Sequence, residues 1–329
     1  MRRHQPLPDE LGTAFAVRTA RLLGVSRRRL TGSDLTAPVH GARFTADYAD
    51  AGDPATAATA DPFERQRRAR VRRAREYATV MHTGHFFSHQ TAASIWGAPL
   101  PLEFTASGHP AEDQQLDLHV SSRVGLGIPR GAAVCGHRTL PSMTEVTEHD
   151  GLRVSSPAAT WAALGALSVR DLVALGDYFC RRWRIGHGRP TPGRTPLATV
   201  DQLREMLDAG RRHGAARLRE AIELIREDAW SPRESHVRCI LVSAGLPEPQ
   251  LNVDVFDDAG RFLACVDMAY PERKVAIEYL GMLHGEQWAR DVERLAALRA
   301  AGWTVIEVTS PLLQTPDRLL RRVAAALRG

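Results

Sequence analysis

The stretch VDMAYPERKVAIEYLGMLH, residues 266–284, decides the fold of the C-terminal part of the chain. It joins the end of one β-run, RFLACVDMAY at 261–270, to a second, ERKVAIEYL at 272–280. Successive strand residues point to opposite faces of a sheet, so Asp267 and Glu278 fall on one shared face. The stretch therefore predicts two neighbouring strands whose carboxylates meet across the ladder.

Two carboxylates held close in a half-buried site repel each other, which raises a pKa unless a cation neutralises them. Mg²⁺, or Mn²⁺ in its place, resolves this conflict when one or two carboxylates and a substrate phosphate bind it. Glu234 lies at the edge of the apolar face of a predicted helix, where it can supply a third oxygen. A plainer interpretation stays open: Glu234 caps its helix, Asp267 pairs with an arginine, and Glu278 ends a solvated strand.

The elements around this stretch follow from local patterns. Ser231 and Pro232 open a helix, with Glu234 at the third helical position of a capping box. The strand QLNVDVF comes next, then the two runs above, the helix EQWARDVERLAALRAAG, the strand WTVIEVT and a helix starting near Thr315. The predicted helix stripe is Trp288, Val292, Leu295 and Leu298. Residues 231–329 thus have the order αβββαβα.

The N-terminal segment FAVRTARLLGVSRRRLTGSDL, residues 15–35, predicts a helix-turn-helix. Ala20, Gly24 and Leu30 supply the small residue, the turn glycine and the core residue of that motif, and Ser26 opens the second helix. The side chains of Arg27, Arg28 and Arg29 then project from this second helix, where they can reach a DNA groove or its phosphates. An ordinary helical hairpin produces the same pattern.

Between these ends the patterns predict an α+β region. A helix with seven arginines between Arg65 and Arg75 indicates a solvated surface rather than a phosphate-binding one. Residues 45–61 predict a loop or wing, and Asp150-Gly151 a hairpin. GHGRPTPGRTP, 186–196, predicts a linker, followed by one helix from about Val200 to Glu227. Five histidines lie in no metal-ligand spacing and are expected to be ordinary imidazoles: His82, His85, His89, His119 and His137.

Composition bounds the class of protein. With 43% hydrophobic and 25% charged residues among 329, the chain is neither fibrous nor wholly disordered, and two or three domains are expected. The net charge of +5 is compatible with a polyanionic partner but does not name one. No run approaches the length of a membrane span, and the first residues lack an apolar leader core, so we expect a cytoplasmic protein with no membrane partner.

The motifs SPRE, VDMAYPERKVAIEYLG, QWARD and AAGWTVIEVT, with His284, resemble the PD-(D/E)XK nuclease superfamily, and more closely the domain related to very-short-patch-repair endonucleases. This resemblance covers Ser231 to Gly329. It implies a restriction-endonuclease-like fold that hydrolyses DNA, with metal bound by Asp267 and Glu278, assistance from Glu234, and phosphate or water positioned by His284 and Gln287.

One residue departs from that pattern. Such relatives usually have Asp or Lys two residues after the strand glutamate, whereas EYLG presents Leu280. Leucine can neither bind a metal nor polarise water, so the resemblance predicts the nuclease fold while leaving activity open. The alternative is a non-catalytic DNA-binding regulator with a degenerate nuclease fold.

The segments GVSRRRL, FFSHQTAASIWGAPLP and LRVSSPAATWAAL more loosely resemble AbiEi-type antitoxins of type IV toxin-antitoxin systems. That resemblance implies an N-terminal winged helix-turn-helix, DNA as a partner and a cognate toxin as another. The expected organisation is a helix-turn-helix domain at 1–60, the α+β region at 61–185, a linker and connecting helix at 186–230, and the nuclease-like domain at 231–329. The oligomeric state is left open by the sequence.

Overall fold

A computed structural model describes residues 5–49, 61–187, 189, 191–281 and 286–329; for residue 49 and residues 286–290 it describes the backbone alone. The protein is mixed α/β and divides into two compact units, Met1–Ala163 and Leu164–Gly329. This division falls inside the stretch 61–185, which the sequence treats as one region. None of the helices in the described ranges is long and apolar enough to cross a membrane.

The first unit begins with a small antiparallel sheet in the order β1-β3-β2. Its strands are β1 Ala14–Ala16, β2 Leu35–Thr36 and β3 Ala42–Thr45, and its helices are α1 Val17–Leu22 and α2 Ala46–Ala49. The β2–β3 hairpin precedes the expected wing at 45–61, most of which lies outside the described residues.

A five-stranded sheet in the order β6-β5-β4-β8-β7 completes the first unit. Its strands are β4 His85–Phe87, β5 Leu118–Arg123, β6 Val134–Thr139, β7 Val146–His149 and β8 Leu152–Ser155. Its helices are α3 Pro62–Ala78, α4 His89–Ile95 and α5 Pro157–Ala163. The predicted hairpin at Asp150-Gly151 is confirmed: β7 and β8 pair antiparallel, and both turn residues have positive φ, 49° and 72°.

The second unit combines four leading helices with a four-stranded sheet in the order β12-β11-β10-β9. The leading helices are α6 Val169–Cys180, α7 Val200–Asp208, α8 Ala215–Leu224 and α9 Pro232–Ser243. Next come β9 Gln250–Phe256, β10 Phe262–Tyr270, β11 Val275–Tyr279, α10 Glu286–Ala300, β12 Thr304–Val308, α11 Ser310–Leu313 and α12 Pro316–Arg328. Except for the short added α11, the elements of residues 231–329 follow the predicted order αβββαβα.

Helices cover both faces of this sheet. On one face, residues of α9 and α12 pack on β10 and β11, and the core includes Val237, Leu319, Met268 and Ile277. On the other face, Leu298 of α10 packs with small residues of the same strands. Because β12 runs parallel to β11, the chain needs a crossover between them, and α10 provides it. The two strands that hold Asp267 and Glu278 are thus central and enclosed.

The turn between β10 and β11 is a short 3-10 helix, Pro271–Arg273, that ends at Lys274. Lys274 has a φ of 47°, in the left-handed region, and its exposed side chain donates from Nζ to the carbonyl of Ala301 at 3.3 Å. Lys274 is also the sole lysine of the sequence. The turn sets the antiparallel register in which Met268 faces Ile277 and Tyr270 faces Val275.

The predicted second helix of the helix-turn-helix, expected to be short, is not an α-helix in the structure. Ala20 and Leu30 are buried and Gly24 has a φ of 81°, as the motif requires. After this turn, however, the chain makes one helical turn that closes as the 3-10 helix Arg29–Thr31. It ends there because Gly32 is extended and the chain proceeds directly into β2.

The expectation that the arginine-rich helix α3 is solvated all round is also wrong. Arg70 and Arg73 are buried, with 2% and 8% of their surface exposed. Arg70 pairs with Glu103 at 2.6 Å, and Arg73 donates to the carbonyls of Asp113 and Leu116. These two arginines fasten α3 to loops distant in sequence, a role that local periodicity does not encode.

Three smaller expectations for the second unit need correction. The helix predicted from Val200 to Glu227 is two helices, α7 and α8, because Gly214 adopts a left-handed φ of 67° before α8 begins. The predicted linker is anchored, since Arg189 donates to the carbonyl of Asn252 and to Asp254, both at 2.8 Å. Val292, placed in the buried stripe, is 45% exposed.

A buried ion pair joins α6 to α9. Asp177 accepts hydrogen bonds from Arg238 Nη2 at 3.0 Å, Ser235 Oγ at 2.6 Å and the Arg226 amide at 2.7 Å. Arg238 is fully buried and also donates to Glu248. Burial raises the pKa of Asp177 despite the facing Arg238, so desolvation outweighs the attraction.

We expect Asp177→Ala to lower the free energy of unfolding by about 3–5 kcal/mol, because it leaves the Arg238 guanidinium buried beside a lost partner. Urea unfolding of the full chain, followed by circular dichroism, measures this change. The control is Asp201→Ala, which removes the exposed partner of Arg204 and should cost less than about 1 kcal/mol. Equal losses in the two variants would contradict a stabilising role for the buried pair.

Candidate functional site

Three carboxylates from different elements converge in the second unit. Asp267 lies on β10 one step beyond the Met268–Ile277 pair, beside Glu278 of β11, and Glu234 lies in the first turn of α9. Glu234 and Glu278 are 5% and 2% exposed, whereas Asp267 keeps part of its surface accessible. We call these three residues the carboxylate cluster. The predicted shared face of Asp267 and Glu278 therefore corresponds to a real proximity.

Backbone and side-chain donors fix each carboxylate. Asp267 Oδ2 accepts from the amide of Tyr279 at 2.8 Å. Glu234 Oε2 accepts from the amide of Trp230 at 2.8 Å and from Asn252 Nδ2 at 3.1 Å. The Ser231 hydroxyl caps α9 by accepting from the Glu234 amide. The Glu234 side chain is turned inward, so its role extends beyond capping.

Burial and mutual repulsion disfavour the charged forms of the cluster. Burial, and then the nearby Asp267, raise the pKa of Glu234 to about 7 and that of Glu278 to about 8. Burial also raises the pKa of Asp267, against the opposing effect of the Tyr279 amide. It is therefore costly to ionise all three carboxylates together, and nearby positive charge reduces that cost.

Arg294 of α10 supplies the positive charge that contacts Glu278. Its Nη1 lies 2.7 Å from Glu278 Oε1 and its Nη2 lies 3.3 Å from Oε2, while Nη2 also reaches Asp291 Oδ1 at 3.1 Å. Burial acts against its charge, but Glu278 and Asp291 together outweigh that effect and raise the pKa of Arg294. With Asp291 the site has four acidic groups, and two arginines act on them: Arg294, and Arg181 near Glu234. If all six groups ionise, the net charge is about −2, which leaves room for a divalent cation.

Arg294 and Asp291 were not singled out from the sequence, although a signal exists. Both interleave with Leu295 and Leu298 at offsets of three and four residues, which is the spacing of one helix face. Charged residues at such offsets share the face that packs on the sheet. The pattern thus placed an acid and a base within reach of Glu278.

The remaining predicted site residues differ in what the structure provides for them. Leu280 packs against the apolar cluster of α10 and donates its amide to the carbonyl of Val308 at 2.8 Å. His284 lies outside the described residues. Gln287 belongs to α10, but its side chain is outside the described part of the chain.

The three predicted DNA-binding arginines do not form one set. Arg27 and Arg28 are exposed on the turn after Gly24. Arg29 instead binds Asp34 with both terminal nitrogens, at 3.0 and 2.7 Å, and donates to the carbonyl of Gln5 at 2.5 Å. Arg29 is therefore structural, and only the other two present their side chains to solvent.

An arginine and tryptophan stack adjoins the carboxylate cluster. The guanidinium of Arg181 lies 4.0 Å from the ring centroid of Trp183 and 4.8 Å from that of Trp230, whose amide binds Glu234. Arg194 approaches the Trp183 ring at 5.1 Å. Cations stacked on aromatic faces are stabilised by the ring quadrupole. The stack brings positive charge and π-surface next to buried acids.

A second polar cluster, missed by the sequence analysis, lies in the first unit. One ring nitrogen from each of His89, His119 and His137 lies within 4.8 Å of the others, so these histidines are not scattered as expected. Burial lowers the pKa of His119 to about 4, and it also lowers that of His137. The imidazoles of His119 and His137 therefore favour the neutral form near pH 7.

Known proteins match part of the chain. Two uncharacterized proteins of Mycobacterium tuberculosis, from strains CDC 1551 and H37Rv, are each 32% identical to this chain over 120 residues. The match covers 35% of this chain and 44% of each relative, less than half of their length. No family model and no solved structure matches the chain.

The pKa of Glu234 predicts how stability depends on pH. A carboxyl whose pKa rises from 4.5 to about 7 on folding favours the folded state below pH 4.5 and loses that contribution as the pH rises to about 7. The full loss is at most about 3 kcal/mol, since each pKa unit is worth about 1.4 kcal/mol. We expect Glu234→Gln, measured without divalent ions, to be more stable than the parent at pH 8 and similar at pH 4.5.

Thermal unfolding at both pH values measures this difference. Glu272→Gln, at an exposed position in the β10–β11 turn, is the control and should leave the pH profile unchanged. A Glu234→Gln profile parallel to that of the parent from pH 4.5 to 8 would show that Glu234 is ionised normally.

Proposed function

We propose that the second unit is a divalent-cation-dependent endonuclease domain that hydrolyses DNA phosphodiesters. The observation that carries this proposal is the carboxylate cluster, in which three acids on α9, β10 and β11, two of them buried, converge beside Arg294. Structural ion pairs normally balance charge, whereas this cluster has an excess of acids. The PD-(D/E)XK resemblance of residues 231–329, whose elements have the order that it implies, supports the same proposal.

The donor set fits Mg²⁺ or Mn²⁺. Both ions take oxygen ligands, and Mg²⁺ is usually held by one or two carboxylates together with water and substrate phosphate. Asp267 and Glu278 are the residues that would hold the ion, with Glu234 as a further oxygen. Arg294 contacts both oxygens of Glu278, so an ion bound by Glu278 would use a remaining lone pair or displace one of these contacts. When bound, the ion would stabilise negative charge developing on the phosphate.

The protein groups themselves have defined roles in this proposal. The Tyr279 amide orients Asp267, and the Trp230 amide with Asn252 orients Glu234. Glu234, with a pKa of about 7, can take up or release a proton at neutral pH, as a general base or acid requires. Arg294 can offset charge at Glu278 or contact a phosphate oxygen once freed.

The arginine and tryptophan stack favours a nucleic acid as the substrate. The guanidinium groups of Arg181 and Arg194 lie 4.0 and 5.1 Å from the Trp183 ring centroid. Stacked aromatic and guanidinium groups accept bases, and arginines bind phosphates, without demanding a particular sequence. This stack adjoins Glu234, so a strand bound there would pass next to the carboxylate cluster.

A second candidate function is a non-catalytic DNA-binding regulator of the AbiEi antitoxin kind, with a cognate toxin as partner. Two observations favour it. Leu280 packs in an apolar cluster at the position where PD-(D/E)XK nucleases usually carry Asp or Lys. Arg294 already forms an ion pair with Glu278. In this alternative the first unit binds DNA through Arg27 and Arg28, which lie in the sequence between strands β1 and β2 of the small sheet. The second unit then acts as a scaffold.

Nicking of supercoiled plasmid distinguishes the two candidates. With Mg²⁺ or Mn²⁺ we expect cleavage by the full chain, lost by at least about 100-fold in Asp267→Asn and in Glu278→Gln, because single charge-stabilising groups are commonly worth that much. Glu272→Gln is the matched control and should cleave like the parent. Cleavage that survives both substitutions rules out the carboxylate cluster, and a parent that never cleaves favours the regulator.

A DNA-binding measurement tests the first unit separately. Replacing Arg27 and Arg28 by Ala should weaken DNA binding and reduce the salt slope by roughly one for each lost phosphate contact. Arg29 is left in place because its substitution would break the contact with Asp34. A double variant of the exposed Arg130 and Arg138 removes equal charge from the same unit. If this control lowers the DNA affinity and the salt slope as much as the Arg27 and Arg28 variant does, the loss comes from net charge and not from contacts made by Arg27 and Arg28.

A further inference from the structure

The histidine cluster, formed by His89, His119 and His137, brings three imidazole rings together in the first unit. His119 Nδ1 and His137 Nε2 are 2.9 Å apart, and the His89 ring stacks on His137 with centroids 3.8 Å apart. All three residues are half-buried, so solvent ions can reach them. The cluster lies in the first unit and takes no part in the function proposed above.

The fold forces these residues together. The Ser88 amide donates to the carbonyl of His119 at 3.0 Å, at the point where β4 ends and α4 begins with His89. β6 runs parallel to β5 with Ser121 opposite His137, so His137 is two residues beyond the position that faces His119. Three elements thus contribute one imidazole each, and the arrangement depends on the whole sheet.

Further contacts orient the cluster. His89 Nδ1 lies 2.9 Å from the buried Ser88 Oγ, which in turn accepts from the buried Ser121 Oγ at 2.7 Å. Metal-binding histidines characteristically have their second ring nitrogen hydrogen-bonded to a carboxylate, a backbone carbonyl or water, and the Ser88 hydroxyl takes that place for His89. His89 also has a φ of 50°, a sparsely populated conformation for a residue other than glycine. Such strain persists where the surrounding structure holds a residue in place, often at functional sites.

We propose that His89, His119 and His137 bind one divalent transition-metal ion, with Zn²⁺ as the best fit. Imidazole suits Zn²⁺, Co²⁺ and Ni²⁺, whereas Mg²⁺ and Ca²⁺ prefer oxygen ligands. Tetrahedral Zn²⁺ with Zn–N distances of about 2.0–2.1 Å places its ligand nitrogens about 3.3 Å apart. Nitrogens already within 4.8 Å reach that spacing by small ring rotations, at the expense of the His119–His137 contact.

Three histidines leave a fourth position open. Metal sites with three protein ligands keep that position for water or an exchangeable ligand, while closed structural sites use four. The ion would also tie the start of α4 to β5 and β6, and so stabilise the first unit by binding only its folded form. The proposed occupant is therefore a borderline d-block cation, bound by three imidazoles and one exchangeable ligand such as water.

Titration with Co²⁺ as a spectroscopic probe tests the site. The sample is the full chain carrying Asp267→Asn, stripped of metal with a chelator and dialysed. The substitution weakens any Co²⁺ binding at the carboxylate cluster, so the signal reports on the histidines. We expect one Co²⁺ per chain with the visible absorption of a four-coordinate ion, displaced by Zn²⁺. Changing any one of the three histidines to Ala should weaken binding by more than about 100-fold, beyond the 10–100-fold effect of losing an orienting partner.

Two controls keep the test decisive. His109→Ala removes an exposed histidine of the same unit and should bind Co²⁺ like its parent, while Ser88→Ala should weaken binding by about 10–100-fold. Circular dichroism confirms folding, and His137→Gln replaces any alanine variant that does not fold. No saturable Co²⁺ binding by the parent, or equal binding by a folded variant lacking a cluster histidine, would overturn the proposal.

Discussion

The register between β10 and β11 is the constraint on which the second unit depends. One antiparallel pairing, set by the turn at Pro271–Arg273, places Met268 against Ile277 on the side of α9 and α12. The same pairing places Asp267 beside Glu278 on the other side. A slip of one residue would exchange the two faces and bury the acids in the apolar core. Core and site are therefore specified together, and the core supplies the energy that holds the acids close.

That closeness gives the cluster its electrostatic character. In water the three carboxylates would ionise independently near pH 4, whereas here burial and repulsion hold two of them partly protonated near neutrality. Arg294 provides partial compensation from α10, the helix that the parallel β11–β12 connection requires. Topology thus determines which positive group reaches the acids. How far the carboxylates ionise depends on the positive charge near them. Because Arg294 of α10 pairs with Glu278, the packing of α10 on the sheet depends on that ionisation.

Local patterns were sufficient for much of the second unit and insufficient for interactions across it. Strand alternation predicted β9 at its observed bounds, Gln250–Phe256, and predicted the common face of Asp267 and Glu278. The burial of Arg70 and Arg73 and the histidine cluster depend on partners 18 to 48 residues away or on strand order, such as β6-β5-β4. Periodicity reports which face a residue occupies. It does not report which distant residue shares that face.

The position of Lys274 gives the protein an unusual practical property. A protease specific for lysine has one recognition position in 329 residues, at the left-handed end of the β10–β11 turn. Cleavage there requires the backbone to leave the turn, so the rate of a single cut measures how often the strands that carry Asp267 and Glu278 separate locally. A bound cation that holds these strands together would slow that cut. The molecule therefore contains a built-in reporter of local opening at the carboxylate cluster.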